Sequence, residues 1–444
     1  MDSRHGRVRV LMLPWLAHGH ISPFLQLAKN LAATQNFDIY VCSTPVNISS
    51  FNHDFLPPHS SLSIHFVEFH LPTSPDLPPH HHTTKGLLPH LMSSLFSAFY
   101  NSSSTFSTIL KTINPDLLIY DFAPSWAPVL ASSMNIQSVF FMCSSAVMFS
   151  FTYHFIRDPT VDFPFPDIYL HDHEQEKFMS LIESRRSRIQ KASSCMALIK
   201  TSRAIEAKYI DYLSVLFETK LVPVGPLIQD PTDNPIEDSD FMKWLDKKEK
   251  FSTIFVSFGS EYFLSKEEIE ETAHGLEQSK VNFIWVLRFS AELEKFSIKE
   301  ALPEGFLERV GERGKVVEGW APQARILGHR SVGGFASHCG WNSLLESITS
   351  GVPIIAMPVQ FDQPLNSRLV EELGIGVEVK RDEKGRLRRE EVAEVIRAVV
   401  VEEGGECVRR RAKELREILR CKGEEEINSA MEELLQLCKG KKEN

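Results

Sequence analysis

Residues 320–363 limit the fold of this chain more than any other stretch. Val332-Gly333-Gly334-Phe335-Ala336 is a short apolar run suited to a buried strand. Residues 337–343, Ser-His-Cys-Gly-Trp-Asn-Ser, break it with small and polar side chains. Residues 344–348 resume at helical spacing, and Gly351-Val352-Pro353 stops the helix. Residues 354–357 read as a second buried strand. Strand, turn, helix, strand is the unit of an open α/β sheet, in which ligands bind where strands end and helices begin. Backbone N–H groups at a helix start favour anions, above all phosphates.

The rest of the chain carries the same rhythm. Residues 8–13 read as a buried strand, 14–20 as a turn, 22–34 as a helix and 37–42 as a second strand. This βαβ opening predicts a parallel sheet with right-handed crossovers. Further strands are expected at 61–69, 116–121, 138–142, 197–200 and 221–226, with helices at 87–113 and 125–134. Residues 71–90, rich in Pro, His and Thr, read as a long surface loop, and 162–190 as irregular and then helical. Residues 228–240 carry Pro231, Pro235 and five acidic residues, which predicts a linker. Beyond it, strands at 253–258, 283–287, 315–318 and 376–379 alternate with helices at 266–278, 364–373 and 389–401. Residues 290–308 read as a polar loop. Residues 407–437 read as a charged helix whose Glu424-Glu425-Glu426 run faces solvent. The expected division is a domain at 1–227, a linker at 228–240, a domain at 241–425, and a C-terminal helix at 426–444 returning to the first domain.

Composition narrows the partners. A net charge of -10 argues against nucleic acid or an anionic membrane surface, yet permits an anionic small ligand, because helix dipoles act at close range. Seven cysteines, odd in number and irregular in spacing, suit free thiols in a reducing compartment, so a cytoplasmic location is expected. The apolar run at 8–16 lies beside Arg4, Arg7 and Arg9, but Pro14 cuts it and no small-residue cleavage pattern follows, which favours a first strand over a signal peptide. No run reaches the roughly eighteen apolar residues of a membrane span.

Residues 320–363 resemble the signature of plant family 1 of UDP-sugar-dependent glycosyltransferases. The match rests on Trp320, Gln323, His338, the Gly340-Trp341-Asn342-Ser343 run, Glu346, Pro358 and the closing Asp362-Gln363. Fixed spacing over this length is far more specific than a lone glycine motif. The resemblance extends to Gly19-His20, to Asp121 and to the Val256-Ser257-Phe258-Gly259-Ser260 turn. It implies an α/β protein of two facing Rossmann-like domains (GT-B type) with a cleft between them. The acceptor would sit mainly on the first domain and the sugar nucleotide mainly on the second. It also implies transfer of glucose from UDP-glucose, with inversion, to a hydroxyl of a small molecule.

An alcohol is a poor nucleophile at neutral pH, so a histidine base is expected. His20 fits that role, with Asp121 orienting its ring, provided their strands are neighbours. His18 and Asp116 are the internal rivals; Asp116 would sit at the wrong end of the sheet. By match to the signature, Trp320 stacks on uracil, Gln323 reaches the uridine, and Ala321 is a further donor-binding residue. His338, Gly340, Asn342 and Ser343 meet the phosphates, with Gly259 and Ser260 adding donors. Glu346 holds the ribose. Trp341, Asp362 and Gln363 hold sugar hydroxyls, and Gln363 leans toward glucose. Residues 259–265 and 357–363 are similar to the branch that extends existing triterpenoid or flavonoid glycosides. Phe122, Trp126, Met142 and Phe149 are candidate acceptor contacts, against the alternative that aromatics in a chain with 30 Phe are simply core.

No cofactor or metal is implied. His338-Cys339 has no second ligand pair, and Asp238-Ser239-Asp240 reads as a helix cap rather than a metal motif. Consecutive residues such as His80-His81-His82 rarely point at one ion, and no Cys or carboxylate cluster lies near them in the sequence. A serine hydrolase would need a Gly-x-Ser-x-Gly elbow and a dinucleotide dehydrogenase a Gly-x-Gly-x-x-Gly turn; neither is present. A monomer is expected. The remaining alternatives are glycosylation of an aglycone and a sugar-nucleotide-binding protein without catalysis; retention of both His20 and Asp121 favours an enzyme.

Overall fold

The computed structural model describes residues 6–55, 61–186, 196–228, 240–289 and 297–439. The chain divides into two compact units. The first comprises Met1–Tyr153, Arg185–Gln229 and Lys422–Asn444, and the second His154–Ser184 and Asp230–Cys421.

The first unit is built on a seven-stranded sheet. Its strands are β1 (Val8–Leu13), β2 (Phe37–Ser43), β3 (Ile64–Glu68), β4 (Leu117–Tyr120), β5 (Gln137–Met142), β6 (Met196–Ile199) and β7 (Lys220–Pro223). They run parallel in the order β3-β2-β1-β4-β5-β6-β7. Strands at the centre are apolar on both faces: every residue of β4 and β6 is buried, as expected where helices cover both sides. At the edge, β3 is largely open. Residues 422–439 of the helix Glu406–Lys439 belong to this unit, and Ala430, Leu434 and Cys438 join Val10, Ile39 and Leu198 in one core.

The second unit repeats the plan with six parallel strands, β8 (Thr253–Ser257), β9 (Asn282–Leu287), β10 (Gly314–Glu318), β11 (Val332–Ser337), β12 (Ile354–Ala356) and β13 (Gly376–Glu378), in the order β10-β9-β8-β11-β12-β13. Ser265 and Glu268 form a reciprocal cap at the start of helix Lys266–Ser279. Both sheets reverse their direction of growth once, between β1 and β4 and between β8 and β11. Ligand sites of open α/β sheets lie at such reversals, outside the strands' carboxyl ends.

Several expectations need correction. The first helix is His18–Ala33, so residues 18–20 are its first turn rather than a loop. Pro23 lacks an N–H to bond the Gly19 carbonyl, but its fixed φ is compatible with the helix. The expected helix at 87–113 is broken into Met92–Tyr100 and Ser103–Ile113 at Asn101-Ser102. Residues 71–90 are not merely a surface loop: His82, Thr83 and Thr84 are buried, and the His82 carbonyl accepts a bond from Thr44 Oγ1 at 2.7 Å. Residues 297–308 contain short helices that bury Leu302 and Phe306 in the core. Glu426 does not simply face solvent; it accepts a bond from the Arg203 N–H at 2.7 Å, and burial raises its pKa.

The largest difference concerns residues 154–184, which the sequence placed with the first domain. They pack in the second unit because Arg368, itself buried, holds Glu174 through Nη2 (3.1 Å) and Glu378 through Nη1, and lies 4.8 Å from the centre of the Tyr169 ring. Of the expected linker at 228–240, residues 229–239, with Asp238 and Ser239, lie outside the described residues.

Candidate functional site

In the first unit β1 and β4 are hydrogen-bonded neighbours, with Leu13 opposite Tyr120. The chain leaves β1 through residues 14–17 and enters the helix that carries His20 in its first turn. It leaves β4 directly at Asp121. The two side chains therefore meet: His20 Nδ1 lies 2.8 Å from Asp121 Oδ2. Asp121 is 1% exposed, whereas the His20 side chain is 27% exposed. Buried carboxylates need partners. Oδ2 also accepts the Trp15 N–H at 2.9 Å, and Oδ1 the Phe122 N–H at 2.7 Å. These fixed donors orient the carboxylate. When Nδ1 carries the proton donated to Asp121, Nε2 is left as a proton acceptor. His18 is exposed, and it is His20 whose ring meets the carboxylate.

Cys143 completes this corner. Its Sγ and the ligand atoms of His20 and Asp121 all lie within 4.8 Å of one another. Burial first, and the Asp121 charge second, push the thiol pKa well up, so it stays protonated. Sequence reasoning missed Cys143, and also Trp15, whose backbone fixes Asp121 and whose ring packs on Phe96 and Phe99 at 5.2 Å.

The candidate acceptor residues separate into two groups. Phe122 lies against the His20 ring at 5.3 Å between centroids. Phe149 is partly exposed and packs on Phe140. Met142, by contrast, is fully buried in β5, and offers a ligand no surface. Trp126 packs its ring among Phe99 and Phe106, which are core residues.

In the second unit β8 and β11 are neighbours, with Ser257 opposite Ser337. Gly259 follows one and His338 the other. Gly259 has φ +76°, and a Cβ there would lie 2.7 Å from the His338 ring; a Cβ on Gly340 would lie closer still. Both glycines are needed for the backbone to close on the imidazole. Cys339, between them, adopts φ +65°, a conformation uncommon for a residue with a side chain. Burial pushes the His338 pKa down to about 4, against a smaller opposing effect of the Ser257 carbonyl. His338 is therefore neutral at pH 7, and its Nδ1 is buried with no hydrogen-bond partner among the described residues. Helix Trp341–Ser350 starts three residues on, its N-cap the extended Gly340. It brings the positive end of its dipole to the same turn.

The other signature residues continue from this turn. Gln323 Nε2 donates to Ser343 Oγ at 3.1 Å and to Glu346 Oε2 at 2.8 Å, so three expected nucleotide contacts form one network. Trp320 is 62% exposed, an open ring face beside buried Ala321. Trp341 is buried, which leaves its backbone rather than its ring for a ligand. Gln363 folds back: its Oε1 accepts the N–H groups of Val359 and Gln360 at 3.0 Å each, and its amide nitrogen is the end left for a sugar. Asn366, missed in the sequence, donates to the Cys339 carbonyl and to Asp362 Oδ2, both at 3.0 Å. It ties the turn at Cys339 to the end of the signature. Ser260 is exposed after β8.

Comparison with known proteins identifies the family. Residues 6–229 match the family model described as glycosyltransferase, N-terminal domain, and residues 234–406 that of UDP-glucoronosyl and UDP-glucosyl transferase. The chain is 53% identical to UDP-glucosyltransferase 29 of Panax ginseng, over all of both chains. It is 48% identical to a beta-D-glucosyl crocetin beta-1,6-glucosyltransferase of Gardenia jasminoides, covering 96% of this chain and 98% of that one. The structure of Phytolacca americana UGT2 complexed with UDP-2fluoro-glucose and pterostilbene superposes with a TM-score of 0.78 at 26% identity, covering 96% of this chain and 99% of that one. Two Rossmann-like units, each with its expected residues at the sheet reversal, and identity of this extent over the whole length place the chain in plant family 1 of the UDP-dependent glycosyltransferases.

Proposed function

We propose that the enzyme transfers glucose from UDP-glucose to a sugar hydroxyl of a small glycoside, triterpenoid or flavonoid in class, with inversion and with His20 as general base. The observation that carries this reading is the 2.8 Å contact between His20 Nδ1 and buried Asp121. The acceptor hydroxyl gives its proton to His20 Nε2 as its oxygen attacks the anomeric carbon. The bond from that carbon to the β-phosphate oxygen breaks, and UDP departs with the electron pair. Asp121 stabilises the imidazolium that forms and keeps the ring oriented. One displacement turns an α-linked donor into a β-linked product.

Departure of UDP places charge on the diphosphate, which fixed donors stabilise. His338 is neutral at pH 7 and gives its one N–H to the Ser257 carbonyl, so it brings no positive charge. The N–H groups at the start of helix 341–350, with Ser343, Gly259 and Ser260, are the donors. Trp320 stacks on the uracil, and Glu346, held by Gln323, accepts from the ribose. The sequence contains no metal motif, and the charge is assigned to these donors alone. That the acceptor already carries a sugar is supported by the glucosyl crocetin relative, whose printed acceptor bears glucose.

The test is incubation with UDP-glucose and a panel of glycosides and their aglycones. Acceptor-dependent UDP release, a product heavier by one hexose, and a β anomeric coupling constant are expected. UDP-glucose binding without turnover on any acceptor would mean a binding protein. An α-linked product would exclude single displacement.

A further inference from the structure

The second unit contains a pocket of about 330 Å³ that the nucleotide residues do not occupy. Its walls are chain neighbours of the donor signature. Pro358, Gln360 and Phe361 immediately precede Asp362-Gln363, Pro364 follows them, and Tyr262 lies two residues after Ser260. The opposite wall comes from residues 170–178, including Lys177 and Phe178. This volume is at the lower end for small-molecule sites.

The walls are braced. Arg368, with a 1% exposed side chain, pins Glu174 and so fixes the 170–178 wall. Glu268 joins three parts of the other side: it accepts from Tyr262 Oη at 2.7 Å, from the Ser265 N–H at 3.1 Å, and from Arg381 Nη1 at 3.2 Å. Inside this frame Phe361, 47% exposed, presents an open ring. Lys177 is exposed and has no ion-pair partner among the described residues, and Gln360 keeps its side-chain amide. Aromatic faces beside free donors and acceptors are the chemistry of a pyranose site: the ring's C–H face stacks and its hydroxyls hydrogen-bond.

We propose that this pocket receives the sugar ring the acceptor already carries. The inference rests on the reading that the enzyme extends glycosides. In sugar-to-sugar transfer the attacking hydroxyl belongs to the acceptor's sugar, and it must come within about 3–3.5 Å of the donor's anomeric carbon. That sugar is therefore held beside the residues that hold the donor sugar, and the pocket adjoins Asp362-Gln363 on both sides in the chain. Phe361 stacks on the ring, while Lys177 and Gln360 bond its hydroxyls, making them specificity residues for glycoside over aglycone.

The test compares Phe361→Ala and Lys177→Ala with the wild type, each checked for an unchanged thermal midpoint. Wild-type turnover of a glycoside against its aglycone settles the underlying reading by itself. If only the aglycone reacts, that reading fails before any variant is made. If the glycoside reacts, its Kd on the UDP-saturated protein should weaken about tenfold in each variant, the loss expected for one good contact. The UDP Kd should stay within about twofold, since neither residue belongs to the nucleotide network. Unchanged glycoside affinity in both variants would overturn the proposal. A rise in KM for UDP-glucose with the glycoside constant unmoved would assign the pocket to the donor sugar and also overturn it.

Discussion

The two sheet reversals place a histidine at the same topological position and treat it in opposite ways. At β1/β4, His20 meets a buried carboxylate that three hydrogen bonds hold in place. At β8/β11, His338 sits between two glycines with no carboxylate paired to it among the described residues, and burial holds it neutral down to about pH 4. A carboxylate beside an imidazole stabilises the protonated ring; a dry pocket without one disfavours it. In the proposed mechanism the first reversal takes up a proton, while the second keeps its charge unchanged. The difference teaches that position at a strand end selects where chemistry occurs, while the neighbour across the strand gap selects which chemistry.

The comparison can be broken most sharply at Asp121. Asp121→Asn keeps the shape but favours the wrong tautomer, and turnover should fall about 10³–10⁴-fold with UDP affinity retained. A loss below about tenfold would remove the carboxylate from the account. At the other reversal, Gly340→Ala drives a methyl group into the His338 ring. UDP affinity should fall more than about thirtyfold, the cost of overpacking a fixed turn. Calorimetric titration that found no loss would mean the turn yields freely.

A smaller effect concerns pH. His338 has a native pKa of about 4, below the roughly 6.5 of an unfolded histidine, so the unfolded chain binds the extra proton first. Its neutral burial contributes full stability above about pH 6.5, and that contribution declines as pH falls toward about 4, by on the order of 2–3 kcal/mol. Denaturant unfolding between pH 7 and 4 should show this decline, and His338→Asn should flatten it. An equal slope in the variant would place the titration elsewhere.

Much of this was legible in the sequence because strand ends announce themselves. Apolar runs such as residues 332–336 stop abruptly at small and polar residues, and the ladders place those stops together. What was not legible has specific causes. β5 is buried at five of its six positions, so no alternation reveals that Met142 faces core while Phe122 lies by the dyad. Arg368 and Glu174 are 194 residues apart, and no local pattern predicts that they pair, so the 154–184 segment was assigned to the wrong unit. Cys143 and Asn366 follow no motif; only the fold brings one beside His20 and Asp121 and the other between Cys339 and Asp362.

The division of labour between the two reversals is tested most directly in one variant. His20→Ala should be assayed for turnover with a glycoside acceptor and titrated with UDP in the same preparation. Turnover about 10²–10⁴-fold lower, with the UDP Kd within about twofold of wild type, is the predicted result. Retained turnover, or a UDP affinity that falls in step with it, would contradict the account.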